Sequence, residues 1–326
     1  MLATAGIVIL AGFAVLGVLT ARSQAPAPAS QSPATQSATV PQWQIDAGGK
    51  MRFDVASVKL KKSAGAYHVN FPIGNGAVML PVGGRLSIND VPLRDIIAFA
   101  YKLTIPQTHA SMLGLPSWVD SERFDIEARA EGNPTKDEFR LMVQSLLADR
   151  FQLTMHSETR PRPVFEMVLS KAGKPGPQLK PHADDTMCVS PSAGSGTTTA
   201  PAGPGAAMPP LPCGGIAGFG SMPNVPGQLW MGARKVTMDL LAAELSEFDE
   251  SIDRPVLDRT GLSGTFDVMV QFAPQSPDLE PRGFEPDPSA PSFLEALNKQ
   301  LGLRLEPQTA PFDVMIVDRL EQPSEN

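Results

Sequence analysis

The sequence has few of the side chains that usually carry catalysis or bind metals. Its 326 residues include two cysteines and four histidines, and the histidines are scattered at His68, His109, His156 and His182. No HExxH, CxxC, P-loop, GxSxG or SxxK pattern occurs. These absences argue against the common metalloenzymes, nucleotide-binding proteins and serine nucleophiles. We therefore expect no bound metal and no cofactor.

The chain also lacks a concentration of positive charge. Its formal net charge is −7, without a cluster of Lys and Arg, and aromatic residues make up only 6%. Binding to a phosphate backbone needs such a cluster, so nucleic acid is not an expected partner. Proline (33) and glycine (28) are abundant and concentrated in a few stretches, a pattern typical of ordered blocks separated by long loops.

The N-terminal segment is the most apolar part of the chain. Leu2 to Ala21 contains no charged residue, and ten of its positions are Leu, Ile, Val or Phe. This is about the length that crosses a bilayer, so residues 1–22 are predicted to be a hydrophobic helix. A cleaved signal peptide and a retained anchor both remain open, because no basic residue precedes the run. Residues 23–49 are rich in Ala, Pro and Ser and predict a disordered tether.

These features predict an extracytoplasmic protein that contacts the membrane only through residues 2–21. The two cysteines, Cys188 and Cys213, suit an oxidising compartment. Both lie in a Gly/Pro-rich segment, residues 181–228, that we expect to be a loop. A disulfide between them would restrain this loop, and two unpaired thiols are the alternative.

The rest of the chain alternates strand and helix patterns and predicts an α+β fold. In residues 50–180, a helix begins at Leu93, and Thr135 with Glu138 forms a capping box for a second helix. Two strands follow, joined by a polar turn at residues 160–163. Residues 229–326 repeat this order, with caps at Thr237 and Ser292 and a helix that ends at Gly302.

The repeated order predicts an internal duplication. FDIEARA corresponds to FDVMVQF, LLADRFQL to LNKQLGLRL, and PVFEMVLS to PFDVMIVD. We expect two similar halves, each a small mixed or antiparallel sheet packed with two helices. Chance similarity between amphipathic elements is the alternative.

Several of these motifs also resemble a known family. The runs FDVASVK, GGRLSINDVPLRDIIAFAY, GLPSWVDSERFDIEARAEGNPTKDEFRLMVQSLLADRFQLTMHSETRPRPVFEMVLSK, DRPVLDRTGLSGTFDV and LGLRLEPQTAPFDVMIVDRLEQPSEN are similar to a soil-associated, largely acidobacterial family of exported proteins of unknown function. The resemblance covers roughly residues 51–326. It implies a secreted or membrane-tethered protein and supplies no catalytic residues.

One polar group stands out as a candidate binding site. Trp118, Glu122 and Arg123 combine an aromatic surface with both signs of charge, an arrangement suited to a sugar or a peptide terminus. The structural alternative is that Trp118 packs against the first helix while the charges alternate outward on a strand.

These observations leave three hypotheses for the function. The first is a non-catalytic binding or interaction module whose partner is an envelope protein or a cell-wall fragment. The second is a secreted or periplasmic hydrolase that uses carboxylates such as Asp120, Glu122 or Asp125, because acid/base pairs leave no short sequence signature. The third is a sensor ectodomain that acts with a membrane peptidase, which rests on the family resemblance alone.

Overall fold

The computed structural model describes residues 40–62, 65–76, 79–183, 211, 213–222, 225–275 and 284–323. The predicted N-terminal helix, most of the predicted tether and Cys188 lie outside these residues. Within them, no helix combines the length and the apolar character needed to span a bilayer.

The described residues form a mixed α+β fold, as the sequence predicts. The α-helices are α1 (Gln42–Asp46), α2 (Leu93–Ala100), α3 (Ile105–Ser111), α4 (Trp118–Ser121), α5 (Lys136–Phe151), α6 (Met238–Glu244) and α7 (Phe293–Ala296). The strands are β1 (Val55–Leu60), β2 (His68–Val69), β3 (Arg85–Pro92), β4 (Met112–Leu113), β5 (Arg123–Arg129), β6 (Thr154–Leu169), β7 (Leu179–Pro181), β8 (Gly215–Met222), β9 (Val225–Val236), β10 (Val256–Asp258), β11 (Phe266–Phe272) and β12 (Leu303–Arg319). A 3₁₀ turn, Leu245–Glu247, follows α6, and a π-helical turn, Leu297–Leu301, follows α7.

The described strands form three four-stranded sheets. The first outer sheet has the order β1-β5-β3-β2 and the second has the order β7-β11-β9-β8, and both are antiparallel throughout. The middle sheet has the order β10-β6-β12-β4. In it, β6 and β12 form a long antiparallel ribbon, and each carries one short parallel strand on its other side.

Each outer sheet has its own hydrophobic core. The first core is built from buried residues between Val58 and Leu153 and packs α2 and α5 on the first sheet. The second core is built from buried residues between Met167 and Leu303 and packs α6 and α7 on the second sheet. The cavity described below lies where elements of the two cores meet.

A similar bulge interrupts both outer sheets. Asp90 in β3 and Lys235 in β9 have positive φ angles of 58° and 55°, a left-handed conformation that is uncommon for residues other than glycine. An aspartate on the neighbouring strand accepts a hydrogen bond from each backbone N–H: Asp125 Oδ1 from Asp90 at 2.9 Å and Asp267 Oδ1 from Lys235 at 3.0 Å. Both carboxylates therefore stabilise a strained turn of the chain.

The predicted helix boundaries are confirmed where a cap was recognised. Thr135 with Glu138 and Ser292 with Glu295 form capping boxes at the starts of α5 and α7. Gly302 has a φ of 68° and ends the last helical segment. These short polar signals fix helix ends because they satisfy backbone groups that the helix leaves unpaired.

Two predictions about loops are wrong. Residues 160–163, predicted as a turn, lie inside β6, which runs unbroken from Thr154 to Leu169, and β12 is likewise one strand. The prolines are tolerated because, among the described residues, β10 pairs only with Phe165–Met167 of β6 and β4 pairs only with Met315–Ile316 of β12. The described strands therefore leave the middle of the ribbon without a third strand on either side.

The second error concerns the Gly-rich end of the predicted loop 181–228. Gly215–Met222 form β8, and β9 begins at Val225. A Cβ atom at Gly218 would lie 2.5 Å from the Phe248 ring and 2.7 Å from the Trp230 carbonyl oxygen. This glycine therefore allows close packing in a strand and does not mark a loop.

Candidate functional site

A cavity of about 280 Å³ lies between α2, α6, β8 and the segment that precedes β3. Its described lining comprises Tyr67, Ile73, Gly74, Asn75, Asp95, Ala98, Phe99, Leu103, Thr104, Ile216, Gly218, Glu244, Glu247 and Phe248. The first core contributes α2 and the second contributes α6, so the cavity lies at the junction between them. Small-molecule sites occur preferentially at such junctions.

Asn75 is the most unusual residue of this lining. It is only 7% exposed, yet neither its side-chain nitrogen nor its side-chain oxygen has a hydrogen-bond partner. Buried polar groups are paired in the great majority of cases, and an unpaired amide costs free energy. The Asn75 side chain is thus a buried donor and acceptor without a protein partner, in a residue that lines the cavity.

Arg140 of α5 holds the backbone around Asn75. The Arg140 side chain is fully buried, and its Nη2 lies 2.9, 3.0 and 3.1 Å from the carbonyl oxygens of Gly74, Asn75 and Gly76. Nη1 donates to the Asp137 carboxylate. One guanidinium nitrogen therefore contacts three consecutive carbonyl groups, which share its two hydrogens.

Gly76 completes this wall by letting two chain segments approach closely. A Cβ atom at Gly76 would lie 2.7 Å from the Gly214 carbonyl oxygen and 2.9 Å from the Gly215 Cα. Any side chain there would push the segment away from the start of β8. The wall that carries Asn75 is thus fixed from both sides.

Asp95 supplies one buried carboxylate to the cavity. It lies in the first turn of α2 and is 5% exposed. The Tyr67 hydroxyl hydrogen-bonds to it, and Arg94 Nε lies 3.3 Å from its Oδ1. Burial raises the pKa of the Asp95 carboxyl above its ordinary value, while Arg94 opposes that change.

Glu244 supplies a second carboxylate from the end of α6. Its Oε1 accepts a hydrogen bond from the Asn75 backbone N–H at 3.2 Å. Burial, followed by the nearby charge of Glu247, raises the pKa of Glu244 to about 7. Lys136 lies behind it on α5, where burial and then Arg140 lower the pKa of the Lys136 ammonium to about 7.

The three residues predicted to bind a ligand face different partners. Trp118 begins α4 and packs against the first core. Glu122 Oε1 accepts a hydrogen bond from Gln322, while its Oε2 is buried without a partner. Arg123 begins β5 and donates from Nη1 to the Asp90 carbonyl oxygen at 2.9 Å. None of the three lines the cavity, and their binding role stays a prediction.

The carboxylates considered for hydrolysis are also dispersed. Asp120 pairs with Arg94 at 2.9 Å on the surface. Asp125 stabilises the β3 bulge and pairs with Lys61 at 3.2 Å. With Glu122 bound to Gln322, the three acids have separate partners and do not line the cavity.

Of the two cysteines, the structure describes Cys213. Cys213 is buried, and the described part of the chain contains no free cysteine. Cys188 lies outside the described residues, so the pairing of the two stays a prediction. No group of three or more His, Cys, Asp or Glu side chains suited to a metal ion occurs among the residues described.

The sequence model of one protein family, described as "Protein of unknown function (DUF3738)", matches residues 94–320. The chain belongs to the DUF3738 family. The DUF3738 match includes α5, α6 and all of α2 after Leu93, whereas Tyr67 and residues 73–75 of the cavity precede it. The resemblance to a family of unknown function is confirmed, and the acidobacterial origin stays a prediction. Neither a curated protein nor a solved structure matches the chain.

Sequence reasoning did not find the cavity residues, although one signal pointed to Arg140. Arg140 precedes Val143 by three positions and Leu147 by seven, which places it on the inward stripe of α5. A charged residue on a buried stripe is unusual and needs a partner. Asn75 and Glu244 gave no comparable signal, because long-range packing alone buries them.

Proposed function

We propose that this DUF3738 protein is a non-catalytic binding module whose ligand occupies the cavity between α2 and α6. The observation that carries the proposal is the Asn75 side chain, buried and unpartnered in the cavity wall. A ligand with one acceptor and one donor would satisfy both of its atoms. Binding sites that hydrogen-bond their ligands discriminate strongly, because the unbound polar groups are costly when left unpaired.

The rigid mounting of Asn75 supports the same proposal. Arg140 and Glu244 hold its backbone, so its amide is already placed before a ligand arrives. Such preorganisation reduces the entropy cost of binding. A side chain kept unpaired at this cost to stability is better explained by recognition than by folding.

A comparison of two asparagines tests this proposal. Asn75 makes no side-chain hydrogen bond, whereas Asn70 donates to the Arg85 carbonyl oxygen and accepts from the Ser87 N–H, both at 2.9 Å. Asn75→Ala should leave the free energy of unfolding unchanged or raise it, while Asn70→Ala should lower it by about 1–2 kcal/mol. Chemical denaturation measures both values.

The same two variants separate recognition from stability in a ligand screen. A small-molecule fragment library is screened against the wild-type protein by thermal shift and NMR. Ligands of the cavity should lose binding to Asn75→Ala and keep it with Asn70→Ala. The proposal is contradicted when Asn75→Ala destabilises the protein as strongly as Asn70→Ala, or when the fragments that bind are insensitive to Asn75.

A hydrolase is the second candidate, because Asp95 and Glu244 share the cavity and the pKa of Glu244 is raised to about 7. A carboxyl group with a pKa near neutrality suits a general acid. Chromogenic glycosides and esters, with Glu244→Gln as control, test it. Turnover that Glu244→Gln abolishes would favour the hydrolase over the binding module. The binding proposal predicts no turnover of these substrates.

We further propose that the protein acts outside the cytoplasm. The apolar run Leu2–Ala21 and the Pro/Ala/Ser tether support export. A phosphatase fusion after Asn326 tests export, since its activity should disappear when residues 2–21 are deleted.

We also propose that the protein arose by duplication of one α+β half. The equal strand orders of the outer sheets, their bulges and their capping boxes support the duplication.

A further inference from the structure

The chemistry of the cavity lining narrows the class of ligand. Of the described residues that line it, three are acids, namely Asp95, Glu244 and Glu247, and none is Lys or Arg. Glu244 also ends α6, where the last carbonyl groups of the helix add negative partial charge. A positively charged group is the natural counterpart of this wall.

The basic side chains near these acids lie outside the lining. Arg94 and Arg123 lie near Asp95, and Lys136 and Arg140 lie near Glu244. These cations favour the ionised form of each acid and offset part of its negative potential, but they do not line the cavity. Asp95 and Glu244 do line it, so a cationic ligand in the cavity can contact them.

Two further parts of the lining add requirements. The Asn75 amide offers one donor and one acceptor side by side, which matches the N–H and C=O of one residue in an extended peptide, because those two groups point to the same side of the chain. Phe99, Phe248 and Leu103 supply an apolar patch beside it. The volume of about 280 Å³ is near the lower end for small-molecule sites, which excludes a long chain inside the cavity.

We infer that the cavity binds the amino terminus of a short peptide: its ammonium group by Asp95 and Glu244, the backbone N–H and C=O of its second residue by Asn75, and its first side chain by the apolar patch. This inference rests on the proposed binding function and names the ligand class of the same site. The ammonium group of this ligand distinguishes it from a neutral sugar, which has hydroxyl groups instead.

Three probes test the inference by calorimetry on the full chain: the dipeptide amide Leu-Ala-NH2, its N-acetyl derivative and N-acetylglucosamine. The free dipeptide amide should bind, and acetylation, which removes the charge, should weaken binding at least tenfold. Asp95→Asn and Asn75→Ala should each weaken it at least tenfold. Asp149→Asn is the matched control, because Asp149 is an exposed acid of α5 that pairs with Arg52 outside the cavity.

Glu244→Gln replaces Asp95→Asn in this test if the latter fails to fold. Equal affinity for the free and acetylated peptides, or tighter binding of N-acetylglucosamine, would overturn the ligand class. Other outcomes test the broader proposal that the cavity is a binding site. Fragments without an amine that depend on Asn75 would overturn only the peptide inference, whereas the absence of any cavity ligand would overturn both.

Discussion

Replacing Arg140 by methionine tests how the cavity wall is held. Arg140→Met keeps an unbranched side chain of helical propensity but removes every donor that contacts Gly74, Asn75 and Gly76. The three carbonyl groups and Asp137 then lose their shared partner. Asp137 retains Lys102 at 2.9 Å, so the loss is confined mainly to the segment that carries Asn75.

The expected loss of stability follows from these contacts. Arg140 is fully buried, and its removal leaves three carbonyl oxygens without their donor, at about 1–3 kcal/mol for each buried group left unpaired. The three hydrogen bonds share one nitrogen atom, so their contributions are not independent and the total is smaller than their sum. We therefore expect Arg140→Met to lower the free energy of unfolding by about 3–5 kcal/mol, a large share of the 5–15 kcal/mol of a typical domain.

Urea denaturation measures this loss, and hydrogen exchange at residues 73–76 shows whether the segment opens. Arg150→Met is the matched control on the same helix, because Arg150 is exposed and its substitution should change stability by no more than about 0.5 kcal/mol. Equal stability of the two variants, or unchanged exchange at residues 73–76 in Arg140→Met, would refute this description of the wall.

Three further predictions concern other parts of the chain. Asp125→Ala and Asp267→Ala should each lower the free energy of unfolding by about 1.5–3 kcal/mol, because each removes a charged acceptor from a bulge; a neutral effect at one site would contradict the shared role. The folded-state pKa of Glu244 is raised from 4.5 to about 7, so its contribution to stability should be complete below pH 4.5 and fall as the pH rises to about 7. Denaturation across this pH range should show a smaller decrease in Glu244→Gln than in the wild type, and parallel curves would refute the assignment. Cys188 and Cys213 should react with an alkylating agent only after reduction, as mass spectrometry can show, and rapid alkylation of both without a reductant would exclude their pairing.

Features of this fold that depend on local sequence signals could be predicted, whereas features that depend on long-range contacts could not. Thr135, Ser292 and Gly302 act on backbone groups within a few residues, so their patterns fix the helix ends directly. The sequence predicts a turn at Pro161, but whether a strand admits this proline depends on which strands pair with β6. The sequence also predicts a loop at Gly218, although close packing against Phe248 explains this glycine.

The candidate site was harder to predict for the same reason. Its residues come from distant parts of the sequence, and their burial depends on how the two outer sheets and their helices pack. Trp118, Glu122 and Arg123 lie within six residues of one another, which predicts a shared site, yet in the structure they contact different partners. Asn75 lies in an inconspicuous Gly-rich segment and becomes informative only when its surroundings are known.

The central claim, that the cavity is the binding site, is tested most directly by the side-chain amide resonances of Asn75. In an NMR titration with the dipeptide amide Leu-Ala-NH2 or a fragment identified by the screen, these two proton signals should shift on binding and be missing in Asn75→Ala. The Asn70 side-chain signals serve as the internal reference, since that amide is already paired within the protein. Saturable binding that leaves the Asn75 signals unmoved would contradict the account.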